Sequence, residues 1–115
     1  MNNPKTSLQL IRQFFLGFVR LHILHHASEG SVCGVELSSE LANHGYKLSP
    51  GTLYPILHAL EASGYLRRAV RIEQGRQRKV YTLTRNGEAA LEQAREHLRE
   101  LVDEVMGEGR GHTKR

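Results

Sequence analysis

The spacing of apolar residues divides the chain into four helical segments and one hairpin. Over residues 7–27, apolar side chains recur at intervals of three and four positions, as they do on one face of a helix. A shorter helix is predicted at 34–43, where a His-Gly pair follows its end. A third helix is predicted at 50–63, because Ser49 and Pro50 form an N-cap followed by a proline at the first helical position.

A hairpin and a last helix complete the pattern. Segments 65–72 and 77–83 are rich in strand-forming residues, and a turn that contains Gly75 separates them. Thr84 is the predicted N-cap of a helix over 85–106. Apolar residues of that helix step by 3, 4, 3 and 4 positions, which makes a heptad seam. The residues of this seam are Leu91, Ala94, Leu98, Leu101 and Val105.

The order of these elements predicts a mainly α fold with a small β-hairpin. It is that of a winged helix-turn-helix domain with N- and C-terminal dimerisation helices. One domain over 7–106 is predicted, with the C-terminal dimerisation helix at 85–106, and a single domain suits a chain of 115 residues. Residues 1–6 are expected to be disordered and residues 107–115 to form a flexible tail, because the tail has glycine at alternate positions and no apolar anchor.

Charge is distributed unevenly along the chain. The net charge is only +4, from 16 Lys and Arg residues against 12 Asp and Glu residues. Residues 65–86 alone carry seven basic residues and one acidic residue, a net charge of +6. A strip of this kind is typical of a phosphate-binding surface. Charge alone does not exclude the alternative, which is a charged surface that faces solvent and binds no ligand.

The face of the third helix that lies opposite its apolar stripe is almost uncharged, which suits a helix that enters a groove of duplex DNA. Its hydroxyl groups can bond base edges or phosphates, and Tyr54 can reach the DNA backbone. Positive charge lies instead on the wing, where it can follow the phosphates or enter the minor groove. The predicted DNA-binding residues are Ser49, Thr52, Tyr54, His58, Arg76, Arg78 and Lys79. Pro55 conflicts with a helix here, because it removes a backbone hydrogen bond to Gly51.

Several short motifs run from the third helix to the last one. They are Gly51-Thr-Leu-Tyr-Pro-Ile-Leu57, Leu60-Glu61, Gly64-Tyr-Leu66, Gly75-Arg76, Arg78-Lys79, Tyr81, Leu83-Thr84 and Gly87. Together they resemble the PadR family of transcriptional regulators, and the resemblance extends from about Leu16 to Met106. In that family the Tyr-Pro pair lies inside the recognition helix, which implies one helix from Pro50 to Ser63. The short last helix resembles the smaller PadR subfamily, and Tyr81 completes the predicted DNA-binding set.

The resemblance implies a homodimer that is held together by the first and last helices, and usually repression of transcription. The heptad seam independently favours dimerisation, because a lone chain would expose it unless the first helix covers it. The predicted dimerisation residues are Phe14, Phe15, Phe18, Leu91, Leu98, Leu101 and Val105. A two-fold dimer presents two recognition helices and two wings to a pseudo-palindromic, double-stranded operator, whose half-sites lie about 34 Å apart or a multiple of that distance.

The leading prediction is therefore a sequence-specific, homodimeric repressor that a small molecule or another effector releases from DNA. The resemblance implies a pocket between subunits for aromatic or cationic ligands, but the chain has no Trp with which to stack a planar ligand. The competing class is a winged helix that binds a protein partner. The basic wing favours DNA, because a wing that binds protein could equally be apolar or acidic.

Two groups of side chains suggest other chemistry. His22, His25 and His26 are neighbours on one helix, with Cys33 and His44 further along the chain. Imidazoles four residues apart can share a metal, but the spacing matches no recognised zinc pattern, so we expect structural or interface histidines and no metal site. Cys33 is expected to be a small buried side chain, and redox sensing at a helix N-terminus is the alternative.

No catalytic constellation is evident in the sequence, which contains no nucleophile motif and no phosphate-cradling glycine loop, so neither an enzyme nor a cofactor is predicted. The single cysteine excludes a disulfide framework and fits a reducing compartment. The apolar stretch Phe14–Leu24 is interrupted by Arg20 and His22, which makes it unsuitable as a signal peptide or a membrane span. A cytoplasmic protein without membrane association is expected.

Overall fold

The computed structural model describes residues 4–107, with side chains from Ser7 onward, as four helices and a three-stranded antiparallel sheet. The elements are α1 (Pro4–Glu29), β1 (Val32–Cys33), α2 (Gly34–Asn43), α3 (Pro50–Ala62), β2 (Leu66–Glu73), β3 (Arg76–Leu83) and α4 (Arg85–Val105). The predicted fold class, a mainly helical winged helix-turn-helix, is confirmed.

Most predicted boundaries hold to within one or two residues, and the differences lie in the first third of the chain. α1 is one helix that runs through Gly17 and begins at Pro4, where a disordered end was expected. β1 was not predicted, because two residues are too few to show a period. Residues 1–3 and 108–115 lie outside the described residues, so the disorder expected at these ends stays a prediction.

α3 is a single helix although Pro55 lies inside it. The first turn is secured by Ser49, whose carbonyl oxygen accepts hydrogen bonds from the amides of Thr52 and Leu53, each at 3.0 Å. Proline has no N–H with which to bond the carbonyl of Gly51, which costs stability in a helix interior. Three buried apolar side chains on the opposite face offset this cost: Leu53, Ile56 and Leu57.

The sheet has the strand order β1-β3-β2, and a tight turn forms the wing. β2 and β3 pair from Leu66 opposite Leu83 to Glu73 opposite Arg76. The two residues of the turn, Gln74 and Gly75, have φ angles of 51° and 76°. Positive φ at both positions is characteristic of a type I′ turn, whose twist matches the twist of the two strands. β1 adds to the other edge of β3 and so joins the wing to the start of α2.

The core lies where the second half of α1 meets α2, α3 and the inner end of the sheet. Its most deeply buried side chains are Val19, Ile23, Leu37, Leu41, Leu53, Leu57 and Tyr81. Leu91 is the contribution of α4, and it is only 3% exposed. Burial of this number of large apolar side chains is the dominant stabilising term for a domain of this size.

Thr84 fixes the start of α4 to the end of α3. Its hydroxyl oxygen accepts a hydrogen bond from the amide of Gly87 at 3.0 Å and donates one to the carbonyl of Gly64 at 2.6 Å. Gly87 lies so close to the carbonyl oxygen of Tyr65 and to the side chain of Leu83 that a Cβ atom there would collide with both. These contacts confirm Thr84 as the N-cap and set the direction in which α4 leaves the domain.

Large apolar side chains are exposed on α1 as far as Phe18 and on the second half of α4. We call these the open apolar residues, and they are Leu8, Ile11, Phe14, Phe18, Leu98, Leu101 and Val105. Two predicted dimerisation residues are not among them, because Leu91 is in the core and Phe15 is half-buried against the ring of Tyr46, 5.0 Å away. α1 therefore covers Leu91 but leaves Leu98, Leu101 and Val105 of the heptad seam exposed.

Among the described residues, no helix combines the length and the apolar character needed to cross a membrane.

Candidate nucleic-acid interface

α2, α3 and the wing enclose a groove of about 470 Å³, which we call the wing groove. Its lining residues are Cys33, Gly34, Val35, Tyr54, His58, Arg76, Gln77, Arg78, Lys79 and Tyr81. Six of the eight predicted DNA-binding residues thus lie around one groove, although they come from segments that are twenty residues apart in the chain. The other two, Ser49 and Thr52, lie at the N-terminal end of α3.

Tyr54 lies against the first residue of α2. Its ring is packed so closely on Gly34 that a Cβ atom at that position would overlap the ring and its hydroxyl. Gly34 is buried, and Tyr54 keeps about a third of its surface exposed. The contact fixes the spacing between α2 and α3, a role for Gly34 that sequence reasoning missed. The available signal was a glycine at the first position of a helix, where its low helix propensity needs a reason.

The structure places Tyr81 differently from the prediction. Its side chain is only 2% exposed and belongs to the core beneath the wing groove. Burial raises the pKa of the Tyr81 hydroxyl, while the nearby Arg68 acts in the opposite direction, so the phenol stays neutral at physiological pH. A buried ring cannot reach a DNA backbone without leaving the core. We therefore remove Tyr81 from the contact surface and regard it as a support for β3.

The positive charges of the wing fall into two kinds. Glu73 pairs with two of them, since its carboxylate lies 3.3 Å from Nε of Arg78 and 3.7 Å from Nη1 of Arg71. Within residues 4–107, Arg76 and Lys79 have no acidic partner within 4.0 Å. These two exposed cations are the part of the +6 strip best placed to attract phosphates, whereas the charge of Arg78 is partly neutralised.

Arg71 and Arg78 also tie the wing to the segment before α2. Nη2 of Arg71 donates a hydrogen bond to Oγ of Ser31 at 3.1 Å, and Nη1 of Arg78 donates one to Sγ of Cys33 at 3.4 Å. Cys33 is buried, as expected, and is a free thiol. Arg71 was not singled out from the sequence, because its partner lies 40 residues away and nothing local indicates the contact.

The N-terminal end of α3 presents two hydroxyl groups. Oγ of Ser49 lies 3.4 Å from Oγ1 of Thr52, and the Ser49 side chain does not cap the helix. Its hydroxyl therefore remains available to a ligand. His58, one helical turn beyond Tyr54, is exposed on the same side of α3.

Histidines form a second cluster away from the wing groove. His22 and His26 project from α1 towards His44, the residue that ends α2, and we call these three the histidine cluster. Burial lowers the pKa of His22, and the neighbouring His44, His26 and His25 lower it further, so this imidazole is neutral at pH 7. Among the described residues, two sets could hold a metal: the histidine cluster, and His25 with His26 and Glu29.

The helix-turn-helix, the basic two-stranded wing and the third strand that anchors it define a winged helix-turn-helix protein. The model of the family described as "Transcriptional regulator PadR-like family" matches residues 23–93. The chain therefore belongs to the PadR-like family of transcriptional regulators, as its motifs predict. The members of this family and the similar proteins are transcriptional regulators and not enzymes, which confirms the expectation that this chain is not an enzyme.

Relatives support the assignment over most of the chain. It is 52% identical over 103 residues to transcriptional regulator Rv3488 of Mycobacterium tuberculosis, which covers 90% of this chain and 95% of that protein. A PadR family transcriptional regulator from Eggerthella lenta has a similar structure, with a TM-score of 0.74 at 25% identity over 89% of this chain and 90% of that one. A Streptococcus transcriptional regulator gives a TM-score of 0.76 at 27% identity over 83% and 95% of the two chains.

Proposed function

We propose that this PadR-like regulator is a homodimeric repressor that binds a specific double-stranded operator through the wing groove. The observation that carries the proposal is the shape of that groove, which sets an uncharged helix face beside two exposed cations, Arg76 and Lys79. This combination suits duplex DNA, where base edges lie between rows of phosphates. A protein partner would not require unpaired positive charge beside a polar face.

The contacts divide by chemistry. We assign contacts with base edges to Thr52 and His58, and contacts with the DNA backbone at the helix end to Ser49 and Tyr54. Arg76 and Lys79 would neutralise phosphates beside the wing, with Arg78 as a weaker contributor because Glu73 pairs with it.

The open apolar residues support dimerisation. Phe18 of α1 and Leu98 of α4 line one groove of about 300 Å³, so the exposed sets on the two helices meet there. A second copy that packs on them would bury this surface and leave two wing grooves to read a pseudo-palindrome. An effector that enters the groove between α1 and α4 would change the spacing of the two subunits and release the DNA. A regulator of this kind acts where the genome is, in the cytoplasm.

The operator can be found by selecting fragments of the source genome that the purified protein retains. Binding to the selected duplex is then measured by fluorescence anisotropy over a series of salt concentrations. Lys79→Ala should weaken binding to matched and unmatched duplexes alike and lower the slope of log K against log salt by about 1 for each phosphate that is no longer neutralised. Arg99→Ala, which removes an exposed charge on α4, is the matched control and should leave the slope unchanged.

An unchanged slope in Lys79→Ala would remove the wing from the DNA-contacting surface. Failure to select any duplex, together with weak retention on heparin, would favour the protein-binding class of winged helix. Thr52→Ala and His58→Ala should change sequence preference more than salt dependence. A promoter fusion decides the direction of regulation, because loss of a repressor raises expression of the reporter.

A further inference from the structure

Three imidazoles from separate parts of the chain meet at the junction of α1 with the end of α2. The ring centroids of His22 and His44 are 4.8 Å apart, those of His26 and His44 are 5.9 Å apart, and those of His22 and His26 are 6.1 Å apart. One nitrogen from each ring lies within 4.8 Å of the others. The sequence places only His22 and His26 together, four residues apart on one helix, and the fold supplies the third.

One ring nitrogen of His26 lacks a hydrogen-bond partner among the described residues. Nε2 of His26 is buried and makes no hydrogen bond, and the side chain as a whole is only 15% exposed. Buried polar atoms are almost always satisfied, so an unpaired one in a native fold calls for a ligand. Glu29 lies 4.0 Å from Nδ1 of the same ring. At this distance the carboxylate does not accept a hydrogen bond, but metal-binding histidines commonly have a carboxylate beside the ring nitrogen that does not bind the ion.

We propose that His22, His26 and His44 bind one divalent transition-metal ion of the Zn²⁺, Ni²⁺, Co²⁺ and Cu²⁺ class. Imidazole suits these ions, whereas Mg²⁺ and Ca²⁺ prefer oxygen ligands. Three protein nitrogens leave a fourth position open to solvent or a further ligand. The site is independent of the wing groove.

To bind one ion, the three rings must move slightly closer together and turn. A tetrahedral zinc ion with Zn–N distances of about 2.0–2.1 Å holds its nitrogen ligands about 3.3 Å apart. The three rings are nearly parallel, with interplanar angles between 18° and 26°, so they must turn about their Cβ–Cγ bonds to aim at one ion. His44 is the residue with room to move, because it caps α2 and is exposed, while α1 holds the other two in place.

A bound ion would join α1 to the turn between α2 and α3. α1 also carries four of the seven open apolar residues, so the ion would fix the helix-turn-helix relative to the surface on which a second copy packs. The histidine cluster adjoins the groove between α1 and α4, since His22 lines both. Metal binding would therefore set the separation of the two wing grooves. This regulatory consequence rests on the proposed function, while metal binding itself does not.

Isothermal titration of ZnCl₂ into the full chain, with any affinity tag removed, tests the site directly. We expect one ion per chain and no heat of binding with MgCl₂ as the probe. His44→Gln keeps a polar side chain at an exposed position and should fold normally, but it should weaken zinc binding by at least about tenfold, because even loss of an outer-shell partner costs about 10–100-fold. His97→Gln, at an exposed position of α4, is the control and should bind zinc like the unmodified chain.

Other outcomes would overturn the site. Zinc affinity that is unchanged in His44→Gln but lost in Glu29→Gln would assign the ion to His25, His26 and Glu29 instead. The absence of zinc binding in the unmodified chain would also reject it. In a parallel anisotropy titration, zinc should change affinity for the selected duplex in the unmodified chain and not in His44→Gln. DNA binding that persists without any zinc effect would reject metal control but leave the proposed function intact.

Discussion

The two halves of α1 contain similar side chains but have opposite environments. Val19, in the second half, is completely buried, whereas Phe14, little more than one turn earlier, is 53% exposed. α4 repeats the contrast in the other direction along the chain, with Leu91 in the core and Leu101 exposed. One part of the molecule thus has its apolar residues covered within the single chain, and the other has apolar surface that the described residues leave exposed. Substitutions in each part, and at the junction between them, test this contrast.

Leu101→Lys should have the largest effect on function. In the proposed dimer it places a charge in the apolar seam of each subunit, and an unpaired charge there is costly to bury. We expect a monomer by light scattering, and operator affinity about 10³-fold weaker, which is the lower end of the gap between specific and non-specific binding. Gln93→Lys adds the same charge to the polar side of α4 and should remain dimeric. A dimer of normal affinity in Leu101→Lys would place the subunit contact elsewhere.

Leu57→Ala and Leu98→Ala compare the two environments with the same substitution. Leu57 is fully buried, so its truncation should lower the free energy of unfolding by about 2–5 kcal/mol. Leu98 is partly exposed in the single chain, and its truncation should matter only through association. Urea denaturation at several protein concentrations separates the two cases, because only the loss in Leu98→Ala should depend on concentration. The same loss at every concentration would show that Leu98 acts within the single chain.

Lys79→Ala should affect DNA binding alone, and by less than loss of the dimer does. It leaves both regions folded and the subunits associated, and it weakens only contacts with phosphate. Light scattering should therefore report an unchanged dimer while the anisotropy titration reports weaker binding. A change in oligomeric state would mean that the wing groove and the open apolar residues are not separate sources of affinity.

The smallest effect on stability is expected at Thr84, which joins the end of α3 to the start of α4. Thr84→Ala removes the hydroxyl that bonds both Gly64 and Gly87, at a cost of about 1 kcal/mol in unfolding free energy, typical of a lost N-cap. Thr84→Ser retains the hydroxyl and should restore most of that stability. Thermal or urea unfolding followed by circular dichroism measures both variants. Equal losses in the two would attribute the effect to the threonine methyl group.

Features that local sequence determines were predictable, and features that depend on contacts between residues distant in sequence were not. α2, α3 and the wing follow from caps, glycines and apolar spacing, so their boundaries match the prediction closely. The prediction of α3 as one helix through Pro55 rested on the family resemblance alone, since local rules end the helix there. The burial of Tyr81 was missed, because alternation along β3 does not tell which strand residues meet a helix layer.

Two further contacts could not be predicted from local sequence patterns. The packing of Tyr54 on Gly34 joins residues that are twenty positions apart, and sequence spacing gives no measure of that distance in the fold. His44 completes the histidine cluster only after α2 has turned back towards α1. Spacing in the sequence groups His22 with His26 on one helix but does not show that His44 lies beside them.

Pairing with β1 and apolar burial anchor the wing at one end only. Val80 and Tyr81 pair with β1 and are buried, whereas the strands beyond them, up to the Gln74–Gly75 turn, are largely exposed on both faces. Stability along the hairpin must therefore decline from base to tip, and the tip can open locally at a small fraction of the free energy of global unfolding. The outer part of the wing can therefore bend while its base stays paired with β1. In the proposed complex with DNA, the wing follows duplexes of different curvature while α3 keeps its place, so operators that differ in shape need not differ in how their bases are read.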